Sequence, residues 1–324
     1  MIDFDDLHHE EYQRRPHRIA FVDFWPGFDD DTDQGVSKRW FSENLINVEV
    51  VGPYEDPDVI VFSCFGHSHT FYHGVKLVCY VGENVRPPLK EVPLCLSFDH
   101  VRGIPPHLHM RLPLWTLYRE VHTVLRMHEA RLRGDVDASV AKRKGFCSWV
   151  ASNETDYDAS VRLRFVKLLS QRYKEVACGG KCLNNVGGPV KDKLGFLRGY
   201  RFHVSFENGS HPGYCTEKLL HGFAAGCVPI YWGDPHESRG NEGDFNPAAL
   251  ISAHDFPSFD ELIEHIAAVD KDQGLFESYL RQPILSESWY NRLKDWRQFC
   301  AELTDRIMED ADKCWGIDAD TGTC

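Results

Sequence analysis

Short apolar runs alternate with longer amphipathic stretches along most of the chain. In the first half, four runs rich in β-branched and aromatic residues are bounded by Gly, Pro or Asp, as buried strands are. They are RIAFVDF (18–24), DVIVFSC (58–64), VKLVCYV (75–81) and PLCLSF (93–98). The stretches between them, such as Lys38 to Asn47, are long enough for helices. The alternation predicts a mainly parallel sheet flanked by helices.

The second half restarts the same alternation after a polar segment. Leu117 to Arg133 predicts an amphipathic helix, because its apolar residues recur with helical spacing. The segment GDVDASVAKRK (134–144) contains no aromatic residue, so we place a domain boundary there, between residues 143 and 144. Ser258 to Glu261 forms a capping box that opens another helix. Further strands are predicted at 146–151, 201–207 and 227–232, and further helices near 159–172, 216–226 and 287–310.

Composition and charge narrow the class of protein. The chain has 324 residues, and 36 Lys and Arg against 49 Asp and Glu give a formal net charge of −13. This acidic balance argues against nucleic acid as a partner, because affinity for nucleic acid comes largely from basic residues. No segment reaches the ~20 apolar residues of a membrane span, and the acidic N-terminus does not resemble a signal peptide. With 11 cysteines, several in apolar runs, we expect a reduced, cytoplasmic protein.

The segment YRFHVSFENGSHPGYCTEKLLHGFAAGCVPIYWG (200–233) concentrates the candidate chemistry. A strand ends near Asn208, a polar turn follows, and Thr216 stands where a helix N-cap is expected. A helix N-terminus with a lysine in its first turn attracts anions, but ordinary helix-start residues beside a solvated loop show the same spacing. The predicted geometry brings four polar side chains together, namely Asn208, Tyr214, Glu217 and Lys218.

In order, FEN, GY-x-TEKL and AG-x-VPIYWG resemble the signature of the α1,3-fucosyltransferases, glycosyltransferase family 10. Other segments have family counterparts in the same order, namely DVIVFSCFGHSH, VKLVCYVGENVRPP, LSFDH, MRLPLW, GGKCLNN and DFNP. The resemblance covers roughly residues 18 to 270 and is closest to the soluble bacterial members.

The resemblance implies an α/β protein of the GT-B type, with two Rossmann-like domains facing each other across a cleft. Residues 1–143 would bind the acceptor, and residues 144–324 would bind GDP-fucose. The implied activity is inverting transfer of L-fucose from GDP-fucose to O3 of GlcNAc in an N-acetyllactosamine-type acceptor, giving Lewis-x-type glycans. The donor is a substrate, and no cofactor is implied. The alternatives are a GT-B glycosyltransferase with another nucleotide sugar or acceptor, and a non-catalytic glycan-binding relative.

The resemblance also assigns residue roles. Glu83, after the strand 75–81, would be the base, and we expect partial burial to raise its pKa. Without the resemblance, the favoured interpretation of Glu83 is an exposed turn residue with no role, because Glu is mostly a surface residue. Arg162, in the first turn of its helix, and Lys218 would stabilise the diphosphate. Four residues would bind the donor. Glu217 would accept hydrogen bonds from sugar hydroxyls, Asn208 and Tyr214 would contact the diphosphate or the sugar, and Asn185 would belong to the loop that binds the nucleotide.

Motifs for metal binding are sparse. The chain contains His67-x-His69 and His107-x-His109, but no H-E-x-x-H and no paired C-x-x-C motif. Cys178 and Cys182 form one isolated C-x-x-x-C. We therefore predict no metal site.

Overall fold

Parallel β-sheets organise both halves of the chain. The structure, a computed structural model, describes residues 15–29, 37–89, 92–137, 139–152 and 157–309. The described residues divide into two units. The first takes the residues up to Ser97, Val101–Arg111 and those from Trp296 onward, and the second takes Phe98–His100 and Leu112–Asp295. The predicted class, two parallel-sheet α/β domains, is confirmed.

The first unit contains a sheet in the order β2-β1-β3-β4-β5-β6, with every described pair parallel. The central strands form where the apolar runs were predicted, because their side chains are almost wholly buried on both faces. Its strands are β1 His17–Val22, β2 Val48–Val50, β3 Val59–Phe62, β4 Lys76–Val81, β5 Leu94–Ser97 and β6 His109–Arg111. Its helices are α1 Lys38–Asn44 and, from the end of the chain, α9 Trp296–Met308.

The second unit contains a sheet in the order β11-β10-β9-β7-β8, again parallel throughout the described pairs. Its strands are β7 Gly145–Trp149, β8 Val176–Cys178, β9 Tyr200–Phe206, β10 Val228–Trp232 and β11 Ile251–Ser252. Its helices are α2 Glu120–Leu132, α3 Tyr157–Arg172, α4 Lys193–Leu197, α5 Glu217–Ala224, α6 Phe259–Lys271, α7 Gln273–Arg281 and α8 Glu287–Leu293. The predicted capping box is confirmed, since Ser258 Oγ accepts from the Glu261 amide and donates to its carboxylate.

The helix predicted near 287–310 is two helices, so that expectation is corrected. α8 ends at Leu293 and α9 begins at Trp296, although apolar residues continue across the break. Tertiary contacts explain the break, because α9 packs within the first unit. There Trp296 Nε1 donates to Asn44 Oδ1 (3.0 Å), and Thr304 Oγ1 accepts from the Ile46 amide (2.9 Å). None of the helices in the described ranges combines the length and apolar character needed to cross a membrane.

The division of the chain also differs from the predicted boundary between residues 143 and 144. Residues 112–143 belong to the second unit, since α2 packs against α5 and its Glu120 carboxylate lies 3.7 Å from His221 Nε2 of that helix. The described residues of the polar segment 134–144 therefore lie within one unit and do not link the two units. A polar composition is typical both of a surface turn and of a linker between domains, so composition alone does not distinguish the two.

Candidate active site

The carboxyl end of β9 holds the candidate site, and strand alternation explains its layout. Successive side chains on a strand point to opposite faces of the sheet. Ser205 faces α5, where its Oγ lies 3.0 Å from the position that a Cβ on Gly222 would occupy. Phe206 faces α3, where its ring stacks on Phe165 at 4.6 Å between centroids. The next two residues, Glu207 and Asn208, continue this alternation toward the same two helices.

Glu207 is fully buried and binds the start of α5. Its carboxylate accepts from the Thr216 amide (2.8 Å) and from Thr216 Oγ1 (2.6 Å), and it lies 3.2 Å from Lys218 Nζ. Thr216 occupies the predicted N-cap position, but its hydroxyl makes no capping bond; it donates to Glu207 and accepts from Lys218 Nζ instead of from a backbone amide of α5. Burial raises the pKa of Glu207, opposed by Lys218 and by the Thr216 donors.

Lys218 is held as a cation by the carboxylates around it. Its ammonium donates to Thr216 Oγ1 (2.9 Å) and lies 3.2 Å from Glu217 Oε1. Burial by itself would lower the pKa of Lys218, but the negative charges of Glu207 and Glu217 outweigh it and raise the pKa well above its usual range. Burial likewise opposes ionisation of Glu217, yet Lys218, Lys193 and His221 lower its pKa far below the ordinary value. Glu217 is therefore a carboxylate at neutral pH.

Arg162 reaches the same strand end from the other helix. It is 3% exposed, and its Nη1 donates to Asn208 Oδ1 at 2.8 Å. The first-turn position predicted for Arg162 is corrected, because α3 begins at Tyr157 and places this residue in its second turn. The Arg162 guanidinium is thus a group that α3 brings to the site. Two fixed cations at the end of one strand can hold an anion such as a diphosphate.

Tyr214 lies in the turn between β9 and α5 and is buried. Its ring packs on Phe98 at 5.2 Å between centroids, and its carbonyl accepts from Tyr231 Oη (3.2 Å). The phenol is close enough to Lys218 to contribute to the raised pKa of that lysine. Of the predicted donor-binding residues, Asn208, Tyr214 and Glu217 thus lie around the two cations.

Asn185 has a different environment. Its Oδ1 accepts from the Cys178 amide (2.7 Å), and its Nδ2 donates to the Val176 carbonyl (3.0 Å) and to Glu175 Oε1 (3.1 Å). These bonds fasten the loop after β8 to that strand. The structure thus ties the Asn185 side chain to β8 and not to Glu207 or Asn208, and its donor-binding role stays a prediction.

Glu83 lies in the first unit, just after β4, as expected for a residue at the carboxyl end of a strand. Its side chain is exposed, so the expected partial burial is not observed. The buried phenol of Tyr80 and the thiol of Cys64 are both within electrostatic range of its carboxylate. Its assignment as a base stays a prediction.

Three further residues belong to the site but were not predicted. Glu207 and Thr216 connect β9 to Lys218, and Lys193, the first residue of α4, lies within electrostatic range of Glu217 and Lys218. Burial lowers the pKa of Lys193, although Glu217 opposes this. The strand-terminal position of Glu207 was visible in the sequence. The sequence did not show that Glu207 is completely buried. Because a buried carboxylate needs a local partner, this burial explains its pairing with Lys218.

Comparison with known proteins gives consistent matches in both halves of the chain. Residues 140–313 match the family model described as Glycosyltransferase family 10 (fucosyltransferase) C-term, and residues 19–118 match that of the Alpha-(1,3)-fucosyltransferase FucT N-terminal domain. The Helicobacter pylori protein Alpha-(1,3)-fucosyltransferase FucT is 30% identical over 240 residues, 66% of this chain and 48% of that protein.

Two other relatives extend this comparison. A mouse protein, 4-galactosyl-N-acetylglucosaminide 3-alpha-L-fucosyltransferase 9, is 36% identical over 142 residues, 43% of this chain and 37% of that protein. A crystal structure of an α1,3-fucosyltransferase with GDP-fucose superposes with a TM-score of 0.65 at 24% identity, covering 88% of this chain and 90% of that one. The match to each curated relative thus spans less than half of that relative's length.

The bond network at Thr216 leads to a stability prediction. Thr216→Val removes the hydroxyl that donates to Glu207 and accepts from Lys218, leaving charged, largely buried groups short of a partner. We expect the free energy of unfolding to fall by about 1–3 kcal/mol. Chemical denaturation followed by tryptophan fluorescence measures this change. Thr123→Val, on α2, is the control, and an equal loss in both variants would contradict the assigned role of Thr216.

Proposed function

This chain belongs to glycosyltransferase family 10, the fucosyltransferase family, and we propose that it transfers L-fucose from GDP-fucose to a glycan hydroxyl. The donor is supported by the relative of the same GT-B fold whose crystal structure is described as containing GDP-fucose. The transfer is supported by the Helicobacter pylori relative, which is named an α-(1,3)-fucosyltransferase. GDP-fucose acts here as a substrate, and the proposal assigns no cofactor to the reaction.

The observation that carries the proposal is the pair of cations fixed at the end of β9. Arg162 is bonded to Asn208, and Lys218 lies against Glu207, so adjacent residues of one strand end set the positions of both charges. Ligands of parallel α/β sheets bind at the carboxyl ends of the strands. A diphosphate there gains charge-assisted bonds in the ground state and, more importantly, as negative charge develops on the departing GDP.

The proposed reaction is a single displacement with inversion at the fucose C1. The acceptor hydroxyl gives its proton to Glu83, its oxygen forms a bond to C1, and the bond from C1 to the diphosphate oxygen breaks. Arg162 and Lys218 stabilise the negative charge that GDP carries away. Glu217 accepts hydrogen bonds from sugar hydroxyls, while Asn208 and Tyr214 supply further polar contacts. The first unit would then supply the base and the acceptor site, and the second the donor site.

The proposed acceptor is the GlcNAc of an N-acetyllactosamine-type glycan, fucosylated at O3 to give a Lewis-x-type product. The support is the name of the mouse relative, which specifies a 4-galactosyl-N-acetylglucosaminide acceptor and a 3-α-L-fucosyl linkage. Free N-acetyllactosamine, lactose and N-glycan cores, each incubated with GDP-fucose, test this choice. The cytoplasmic location suggested by the sequence stays a prediction.

Removal of either cation should weaken catalysis. We expect Arg162→Ala and Lys218→Ala each to lower kcat/KM for GDP-fucose by roughly 10- to 100-fold, because each removes a charge-assisted bond to the diphosphate. Steady-state kinetics with a saturating acceptor measure the effect. Arg164→Ala is the matched control, since Arg164 is an exposed arginine on the same helix. Activity in Lys218→Ala equal to that of the control would remove Lys218 from the donor site.

The base assignment requires a separate experiment. Glu83→Gln keeps the size of the side chain but cannot accept the hydroxyl proton, so kcat should fall by roughly 100-fold or more. The affinity for GDP, measured by calorimetry, should stay at the wild-type value, because the diphosphate site is built from other residues. Glu49→Gln, at an exposed carboxylate on β2, is the control. Unchanged kcat in Glu83→Gln would show that another group takes the proton.

A further inference from the structure

Three potential metal ligands from distant parts of the sequence meet in the second unit. His100, Asp234 and His236 each offer a ligand atom, and these atoms lie within 4.8 Å of one another. Within the described ranges, no other group of three His, Cys, Asp or Glu side chains is gathered in this way. The two imidazole rings lie 4.5 Å apart between centroids, at an angle of 56°. Local motifs do not reveal this cluster, because His100 is remote in sequence from the other two.

The carboxylate of Asp234 provides an independent indication of a cation. Asp234 is fully buried, and its Oδ1 accepts from the His236 amide (2.9 Å) and lies 3.0 Å from His236 Nδ1. Its Oδ2 is also buried and has no hydrogen-bond partner among the described residues. A buried carboxylate oxygen without a partner is costly, and such groups are normally hydrogen-bonded or bound to a cation.

We propose that His100, Asp234 and His236 bind a divalent transition metal of the Zn²⁺ type. Two imidazoles and one carboxylate form a donor set that zinc accepts, with ligand distances of about 2.0–2.2 Å and a fourth position left for water. Asp234 would bind the ion through its carboxylate and His236 through Nδ1, and these two groups are already close, with Oδ1 and Nδ1 3.0 Å apart. Coordination requires the exposed His100 to move closer to the other two ligands.

The ion would hold the two sides of the turn that carries Asn208 and Tyr214. On one side, His211 Nε2 lies 3.1 Å from Asp99 Oδ1, beside His100. On the other side, Ser210 Oγ donates to the Gly233 carbonyl (2.7 Å), beside Asp234. A bond from His100 through the metal to Asp234 would join the segments that flank this turn. The proposed metal site can be tested independently of the proposed transferase activity, because the experiment measures zinc binding directly.

The test is Zn²⁺ binding by the full chain after chelator treatment, measured in competition with a fluorescent zinc indicator. The wild type should bind one equivalent, and His100→Ala, His236→Ala and Asp234→Asn should each weaken binding by at least about tenfold. His73→Ala and Cys64→Ser change an exposed histidine and an exposed cysteine outside the cluster and should bind as the wild type does. Circular dichroism confirms that each variant is folded, and His100→Ala changes a surface residue.

Two spectroscopic readouts complete the test. Co²⁺ in the site should show ligand-field bands without thiolate charge transfer, because no cysteine belongs to the proposed donor set. Zn²⁺ should also slow amide hydrogen exchange in residues 208–216 of the wild type but not of His100→Ala. The proposal is overturned by a wild type that binds no zinc, by equal binding in the three cluster variants, by a thiolate band, or by exchange that zinc leaves unchanged.

Discussion

The buried carboxylate of Glu207 is the constraint on which the candidate site depends. A fully buried carboxylate must be satisfied locally, and Thr216 and Lys218 at the start of α5 do so. Because side chains alternate along a strand, the adjacent Asn208 points to the other face and meets Arg162 of α3. One strand end therefore fixes two cations carried by helices on opposite faces of the sheet. Moving either residue by one position in register would separate its cation from the site.

This arrangement reconciles an acidic protein with an anionic ligand. The chain carries a formal net charge of −13, yet Arg162, Lys218 and Lys193 lie close to one strand end. Neighbouring carboxylates keep Lys218 protonated despite its burial, so its charge does not depend on pH over the neutral range. A rigid cation is also pre-oriented, and a ligand that binds it loses less free energy to side-chain ordering. The proposed diphosphate site is thus a local exception in an acidic surface.

The elements predicted well from the sequence are those whose own residue pattern is sufficient to indicate which side chains are buried or where the element begins. The strand from Val59 is a continuous apolar run, the strand from Tyr200 alternates aromatic or aliphatic residues with polar ones, and the helix from Phe259 has its capping box. Strands of three residues, such as Val176–Cys178, were missed because they are too short to show a period. The break before Trp296 and the role of Glu207 arise from tertiary contacts, which no local pattern encodes. Family resemblance located Arg162 and Lys218, but only the structure shows what holds them.

Lys218, fixed through Glu207, is proposed to recognise a diphosphate. The most direct measurement is calorimetric titration of GDP and of GMP into the wild type and into Lys218→Ala. We expect the wild type to bind GDP at least about tenfold more tightly than GMP, and this preference to fall several-fold in Lys218→Ala while GMP affinity changes little. An equal preference for GDP in both proteins would contradict the claim, because the additional phosphate would then be recognised by other groups.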